Sequence, residues 1–108
     1  MKTINYVIVI LGLLTTFNAI ATTNPQCVDV AIEQAKRLGK FHGVDLAIDS
    51  KVKELPAISN PAYKKQKFQV LELWGSQYKG NYRIRLIYFH IKAECLLMGQ
   101  EILEYAKP

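Results

Sequence analysis

Between Tyr82 and Leu86 the chain alternates apolar and cationic residues one for one: Tyr82, Ile84 and Leu86 against Arg83 and Arg85. A period of two puts the first set on one side of an extended strand and the second set on the other. A helix would scatter both sets around its axis. The strand reading extends to Ile91 through Ile87-Tyr-Phe-His. Upstream, Phe68-Gln-Val-Leu-Glu-Leu-Trp74 is short, aromatic and branched, and Gly75-Ser-Gln-Tyr-Lys-Gly80 has the composition of a turn. The two runs therefore read as an antiparallel hairpin.

A register can be tested against the side chains. With Trp74 opposite Asn81, Leu73 meets Tyr82, Leu71 meets Ile84 and Gln69 meets Leu86. That face is nearly all apolar and reads as core. On the other face Glu72 meets Arg83, Val70 meets Arg85 and Phe68 meets Ile87. An opposite-charge pair across strands suits a wetter surface. A slip of one residue would mix the two sets, so the pattern supports this register.

Upstream of the hairpin, Val28, Ala31, Ile32, Ala35 and Leu38 recur at helical spacing. Asn24-Pro25 suits a helix start, with Asn as cap and Pro at the first helical position. Asp29 and Glu33 early, with Lys36 and Arg37 late, match the helix dipole. Gly39 reads as the stop, giving a helix over 25–39. Val44-Asp-Leu-Ala-Ile-Asp49 alternates and is expected to form a short strand. The segment from Ser50 to Lys67 contains Pro56 and Pro61 and reads as the least regular part of the chain.

Compartment and size follow from the ends and the cysteines. Met1-Lys2, an apolar run from Tyr6 to Leu14 and Ala19-Ile-Ala21 have the layout of a secretory signal peptide over residues 1–21. Residues 22–108 then form one small domain, exported to the periplasm or the cell exterior. No stable membrane insertion is expected once the leader is removed. Cys27 and Cys95 are the only cysteines, and in an exported chain of this size they are expected to form an internal staple. The 14 basic and nine acidic residues include Lys2 in the leader, so thirteen face nine in the remainder, a mild excess of about +4. Such a chain rarely meets DNA, and nucleic acid is not an expected partner. Anionic glycan, a lipid surface or an acidic protein suits the charge better.

Glu94 to Tyr105 supports two readings. As a helix, Cys95, Met98, Ile102 and Tyr105 share a face, with Gly99 in the middle. As a strand it would cover one edge of a hairpin that is marginal alone. The order of a helix with an early Cys, a long strand, a turn bounded by glycines, a second long strand and a late Cys resembles small exported helix-on-meander proteins of the PepSY or cystatin-like kind. The resemblance spans about 25–105. It implies that the late Cys sits in a final strand and ties back to the helix, and it favours the strand. Gln66-Lys-Phe-Gln-Val70 lacks the glycine of the cystatin Q-x-V-x-G loop, so no cystatin mechanism is carried over. The expected fold is thus α+β: one N-terminal helix packed on a three- or four-stranded antiparallel sheet, pinned by Cys27–Cys95.

Chemistry is hard to place on these residues. His42 and His90 are solitary, and neither cysteine has a C-x-x-C partner, so no metal or cofactor is expected. Ser50, Ser59 and Ser76 lie in expected loops with no G-x-S-x-G setting. Glu72, Glu94, Glu101 and Glu104 give no sign of sharing a cleft, and no enzymatic activity is expected. The outer hairpin face is the candidate binding site: Phe68, Trp74, Arg83, Arg85 and Phe89. Trp and Arg are favoured at interface hot spots, and Arg over Trp adds a cation–π contact. A face this apolar needs a cover. The 50–63 segment or a helical tail could supply it; otherwise the occupant is a partner protein or a second copy of the chain. The expected function is non-catalytic binding, such as inhibition of a hydrolase. An accessory subunit of an envelope or secretion assembly, or a secreted effector binding a host protein, is the alternative.

Overall fold

The computed structural model describes residues 25–78 and 80–106. The expected leader over 1–21 and the Asn24 cap lie outside them. Helix α1 spans Val28–Phe41, followed by β1 (Ala47–Ile48), β2 (Lys53–Asn60), β3 (Tyr63–Gln77), β4 (Gly80–Ile91) and β5 (Glu94–Ala106). The architecture is α+β, with all strand pairs antiparallel.

Both ends of α1 differ from expectation. The helix does not begin at Pro25. Cys27 occupies the N-cap position with φ of 71° and offers no side-chain cap. A left-handed residue cannot continue a right-handed helix backwards, so the helix starts at Val28. At the other end Gly39 lies inside the helix, and Gly43, with φ of 82°, is the terminator. Val44 N–H donates to the Gly39 carbonyl and Gly43 N–H to the Lys40 carbonyl, both at 2.9 Å. These two bonds are a Schellman cap, in which glycine takes the left-handed position without a Cβ penalty.

The strand order is β1-β3-β4-β5, with β2 also paired to β3. Ala47 and Ile48 pair with Ser76 and Gly75, while Lys53–Asn60 pairs with the opposite end of β3. Both short strands share the β3 edge away from β4, so the sheet is four strands across. The segment with two prolines is therefore largely strand, contrary to its composition. Pro56 falls where the register shifts between Leu55 and Ile58, a bulge on an edge strand, so the N–H it lacks is not required by the ladder. Pro61 sits in the β2–β3 turn, where Asn60 Oδ1 accepts from the Ala62 N–H at 2.9 Å.

The β3–β4 ladder keeps the expected faces but shifts the expected partners by two residues. Leu73 pairs with Ile84, Glu72 with Arg85 and Trp74 with Arg83. Gly75, Ser76 and Gln77 continue β3 and β4 starts at Gly80, so the connection is far shorter than expected. Tyr78 takes φ of 34°, which favours a tight hairpin without glycine there. A shift of two preserves every inward and outward assignment.

One apolar cluster joins the helix to the inner sheet face. Ala31, Ala35 and Leu38 of α1, with Leu46, are buried alongside Leu71, Leu73, Tyr82, Ile84, Leu86 and Tyr88. Leu46 reaches the helix and sheet because both offer a glycine. A methyl on Gly39 would stand 2.9 Å from Leu46 Cδ1, and one on Gly75 3.3 Å from Leu46 Cβ. Cys27 and Cys95 form the expected disulfide, with Cα atoms 6.0 Å apart, tying the start of α1 to the start of β5. Beside it a polar chain crosses the layers. Gln69 Nε2 donates to the Gln26 carbonyl at 3.1 Å, and Gln69 Oε1 lies 2.6 Å from His90 Nε2. Since the amide oxygen faces the ring, Nε2 carries the proton.

The tail is strand β5, not a helix. Its pairing slips between Ile87 and Tyr88, where Gly99 faces Ile87 and Leu97 faces Tyr88. Met98 is the extra residue. This bulge switches the parity of the strand: Cys95 and Leu97 turn inward before it, Ile102 after it. The switch accounts for the odd spacing of Cys95 and Ile102 on the inner face; Tyr105, the last member of the expected helical stripe, falls on the outer face against Trp74.

Two outcomes follow. The disulfide closes a loop of 68 residues, so Cys27→Ala/Cys95→Ala should lower unfolding stability by about 4 kcal/mol in a urea titration. Tyr88 is 1% exposed and its hydroxyl has no hydrogen-bond partner. Tyr88→Phe removes an orphaned polar group and should raise stability by about 1 kcal/mol. Burial also lifts the Tyr88 phenol above its ordinary value of 10.0, partly opposed by Arg37. The unfolded chain then loses this proton first, so stability is complete below about pH 10 and falls above it. In Tyr88→Phe that alkaline decline should be shallower, as measured by melting temperature against pH.

Candidate functional site

The outer sheet face divides into three zones. At one end Phe68 is buried and meets Phe89 edge-on, with centroids 6.0 Å apart and ring planes at 80°. Phe68 stands opposite Ile58 of β2, and Val70 lies between Leu55 and Ile87. These side chains fill the curl of the sheet, which makes Phe68 and Phe89 packing residues first.

The middle is an ion pair. Arg85 Nε donates to Glu72 Oε2 at 2.9 Å, from directly opposite positions on β4 and β3. The Glu72 side chain is only 12% exposed and Arg85 35%. A carboxylate so shielded depends on its partner far more than a surface charge does.

The far end is open. Trp74 is 40% exposed and packs against Tyr105, with centroids 5.5 Å apart. The ring that Trp74 meets is thus Tyr105, not a guanidinium. Arg83 stands opposite Trp74 on one side and Leu103 on the other. It donates from Nη1 to the Tyr105 hydroxyl at 3.3 Å, and its Nη2 lies 3.9 Å from Glu101. Its Nε is buried without a partner. Leu103 and Tyr105 border this end, while Leu96, opposite Phe89, and Met98 lie toward the other; each of the four exposes between 41% and 47% of its surface. Sequence reasoning missed these four because the β5 bulge puts Leu96 and Leu103 on one face despite opposite parity. The alternation Leu103-Glu-Tyr105 was the available signal.

Neither expected cover spans the outer face. The tail forms β5 and extends the sheet sideways, while residues 53–60 form edge strand β2, which shelters Phe68 and Val70 at one end only. The Trp74 end keeps an open face.

The remaining candidates are dispersed. His42 is exposed beside Phe41 at the end of α1, while His90 belongs to the Gln69 chain. Among the described residues no three His, Cys, Asp or Glu side chains are grouped to hold a metal ion. Glu104 faces Tyr82 across β5 and β4; burial and then this carboxylate hold the Tyr82 phenol above its ordinary range. A groove of about 560 Å³ runs between α1 and β5, with Arg37, Phe41 and His42 on one wall and Gln100 and Ile102 on the other. It contains no Ser or Cys beside its histidine.

The Glu72–Arg85 pair gives a direct test. Arg85→Met leaves a nearly buried carboxylate alone and should cost about 2–3 kcal/mol, while adding Glu72→Met should recover most of that loss in the same denaturation assay.

No protein-family model, curated protein or solved structure matches the chain.

Proposed function

We propose that this is an exported, non-catalytic binding protein that engages a partner protein through the Trp74 end of its outer sheet face, with inhibition of a hydrolase as the leading activity. The observation that carries the reading is the open patch of Trp74, Leu103 and Tyr105 around Arg83, on a rigid sheet with nothing stacked over this end among the described residues. Aromatic anchors on a preorganised scaffold lose little conformational freedom on binding. Arg83 sits beneath the patch, where its Nη1 donates to the Tyr105 hydroxyl and its Nη2 faces Glu101, so it orders the aromatic anchors and gives the patch a cationic floor.

An internal disulfide suits an oxidising compartment, and no helix among the described residues is long and apolar enough to cross a membrane. Periplasm or cell exterior is the compartment we assign on this basis. The second reading, an accessory subunit of an envelope assembly, rests on β5. Its outer edge, from Glu94 to Ala106, has no strand beside it among the described residues, and a neighbouring subunit could add one there.

The test is inhibition of a panel of exported hydrolases, proteases and lysozyme-type glycosidases included, by oxidised protein. Inhibition of one hydrolase at one-to-one stoichiometry, weakened about thirtyfold by Trp74→Ala with an unchanged melting temperature, supports the proposal. A Trp74→Ala protein that melts early, or one that inhibits as well as the parent, removes the patch from consideration.

A further inference from the structure

The β3 strand outruns its neighbour. Its pairing with β4 stops at Gln69; before that β3 meets β2 alone, through Tyr63, Lys67 and Phe68, with an irregularity across residues 64–66. The β2–β3 hairpin therefore projects past the four-strand region as a two-stranded arm. Almost every residue from Lys53 to Lys67 is exposed or half-buried. A two-stranded ribbon with so little burial is marginal by itself in water.

Past Glu54 at its root, the charge on this arm is of one sign. Lys64, Lys65 and Lys67 fall within four residues, and no Asp or Glu occurs between Leu55 and Leu71. None of the three lysines forms an ion pair among the described residues. Lys67 donates to Ser59 Oγ at 3.0 Å, a neutral acceptor. Three unneutralised cations on a marginal ribbon repel one another, and an anionic surface would relieve them. Apolar groups flank the lysines: Tyr63, at the tip, is 59% exposed, Pro61 forms the turn, and Ile58, opposite Phe68 at the root, is 43% exposed.

We propose that the β2–β3 arm is a docking surface for an anionic lipid bilayer. The combination of chemistries selects lipid over an acidic protein or glycan. Lysine stems can run along apolar surface while their ammonium groups stay at headgroup level. A tyrosine ring suits the same depth, with its body in the apolar boundary and its hydroxyl in water. A purely ionic polymer would use the lysines and leave Ile58 and Tyr63 idle. The contact is peripheral and reversible. Each lysine near an anionic membrane strengthens binding about fivefold, so three supply about a hundredfold. Tyr63 at the arm's tip lies eleven residues or roughly 35 Å along β3 from Trp74, and Lys67 seven residues or roughly 23 Å, so this site is separate from the proposed protein-binding patch.

The experiment is flotation of purified, oxidised protein with neutral phosphatidylcholine vesicles and with vesicles containing about one third phosphatidylglycerol, at roughly 0.05 M and 0.5 M salt. The expected result is preference for the anionic vesicles at low salt, lost at high salt. Lys64→Gln/Lys65→Gln/Lys67→Gln should weaken that binding about a hundredfold. Tyr63→Ser should weaken it several-fold at unchanged charge, and Trp74→Ala should leave it intact. All of these side chains are exposed or half-exposed, and circular dichroism should confirm one fold throughout. Equal binding to both vesicle types, an undiminished triple variant, or retention on heparin without vesicle binding would each overturn the proposal. An unaffected Tyr63→Ser would reduce the contact to charge alone and overturn the lipid assignment.

Discussion

The antiparallel ladder between β3 and β4 is the constraint on which the other elements depend. It carries the two alternating patterns whose inner halves, Leu71 and Leu73 with Ile84 and Leu86, are the most deeply buried part of the core. Each of its strands then serves as the template for another: β3 for β1 and β2, β4 for β5. The helix contributes two fully buried alanines and Leu38, a narrow stripe that covers this floor without adding much apolar area of its own. Small residues on the helix allow close approach, and Gly39 and Gly75 let Leu46 wedge between layers. A covalent tie at Cys27 and the Gln69–His90 chain then hold the helix's start, where hydrophobic contact is thin.

Where one physical signal dominated, the fold was legible in the sequence. The period of two in Tyr82–Leu86 and the helical stripe from Val28 to Leu38 both identify their elements, because burial on one face leaves no alternative. Faces were also legible, since a register error of two residues leaves them intact. The register was not. It depended on Tyr78 taking a backbone conformation that glycine usually supplies, which no spacing rule announces. The Pro56 segment failed for a related reason: composition says that proline disrupts a ladder, but not that a bulge will fall where it stands. Part of the tail's ambiguity came from the bulge at Met98, which puts Cys95 and Ile102, seven residues apart, on one face of a strand.

The candidate site was half legible. Phe68, Trp74, Arg83, Arg85 and Phe89 do share one sheet face, as the alternation required. Their roles differ because their neighbours differ. Phe68 is closed over by β2, Arg85 is neutralised by Glu72, and only Trp74 and Arg83 border an open patch. That patch is completed by Leu103 and Tyr105, whose position could not be known before β5 was placed beside β4. Charge followed the same rule. The arginines of the sheet face are paired, whereas the lysines of the arm are not, although composition alone counts them equally.

The tie between Cys27 and Cys95 has a consequence for the order of events during synthesis. Sixty-eight residues separate the two sulfurs, and β5 is the last element to emerge. The first helix is made early, yet its anchor arrives only with the final hairpin. Until then α1 has few partners, because the floor it covers comes from strands still to be made. The molecule therefore closes from its end back to its beginning, and a chain interrupted before Cys95 would carry both an open sheet edge and an unmatched thiol.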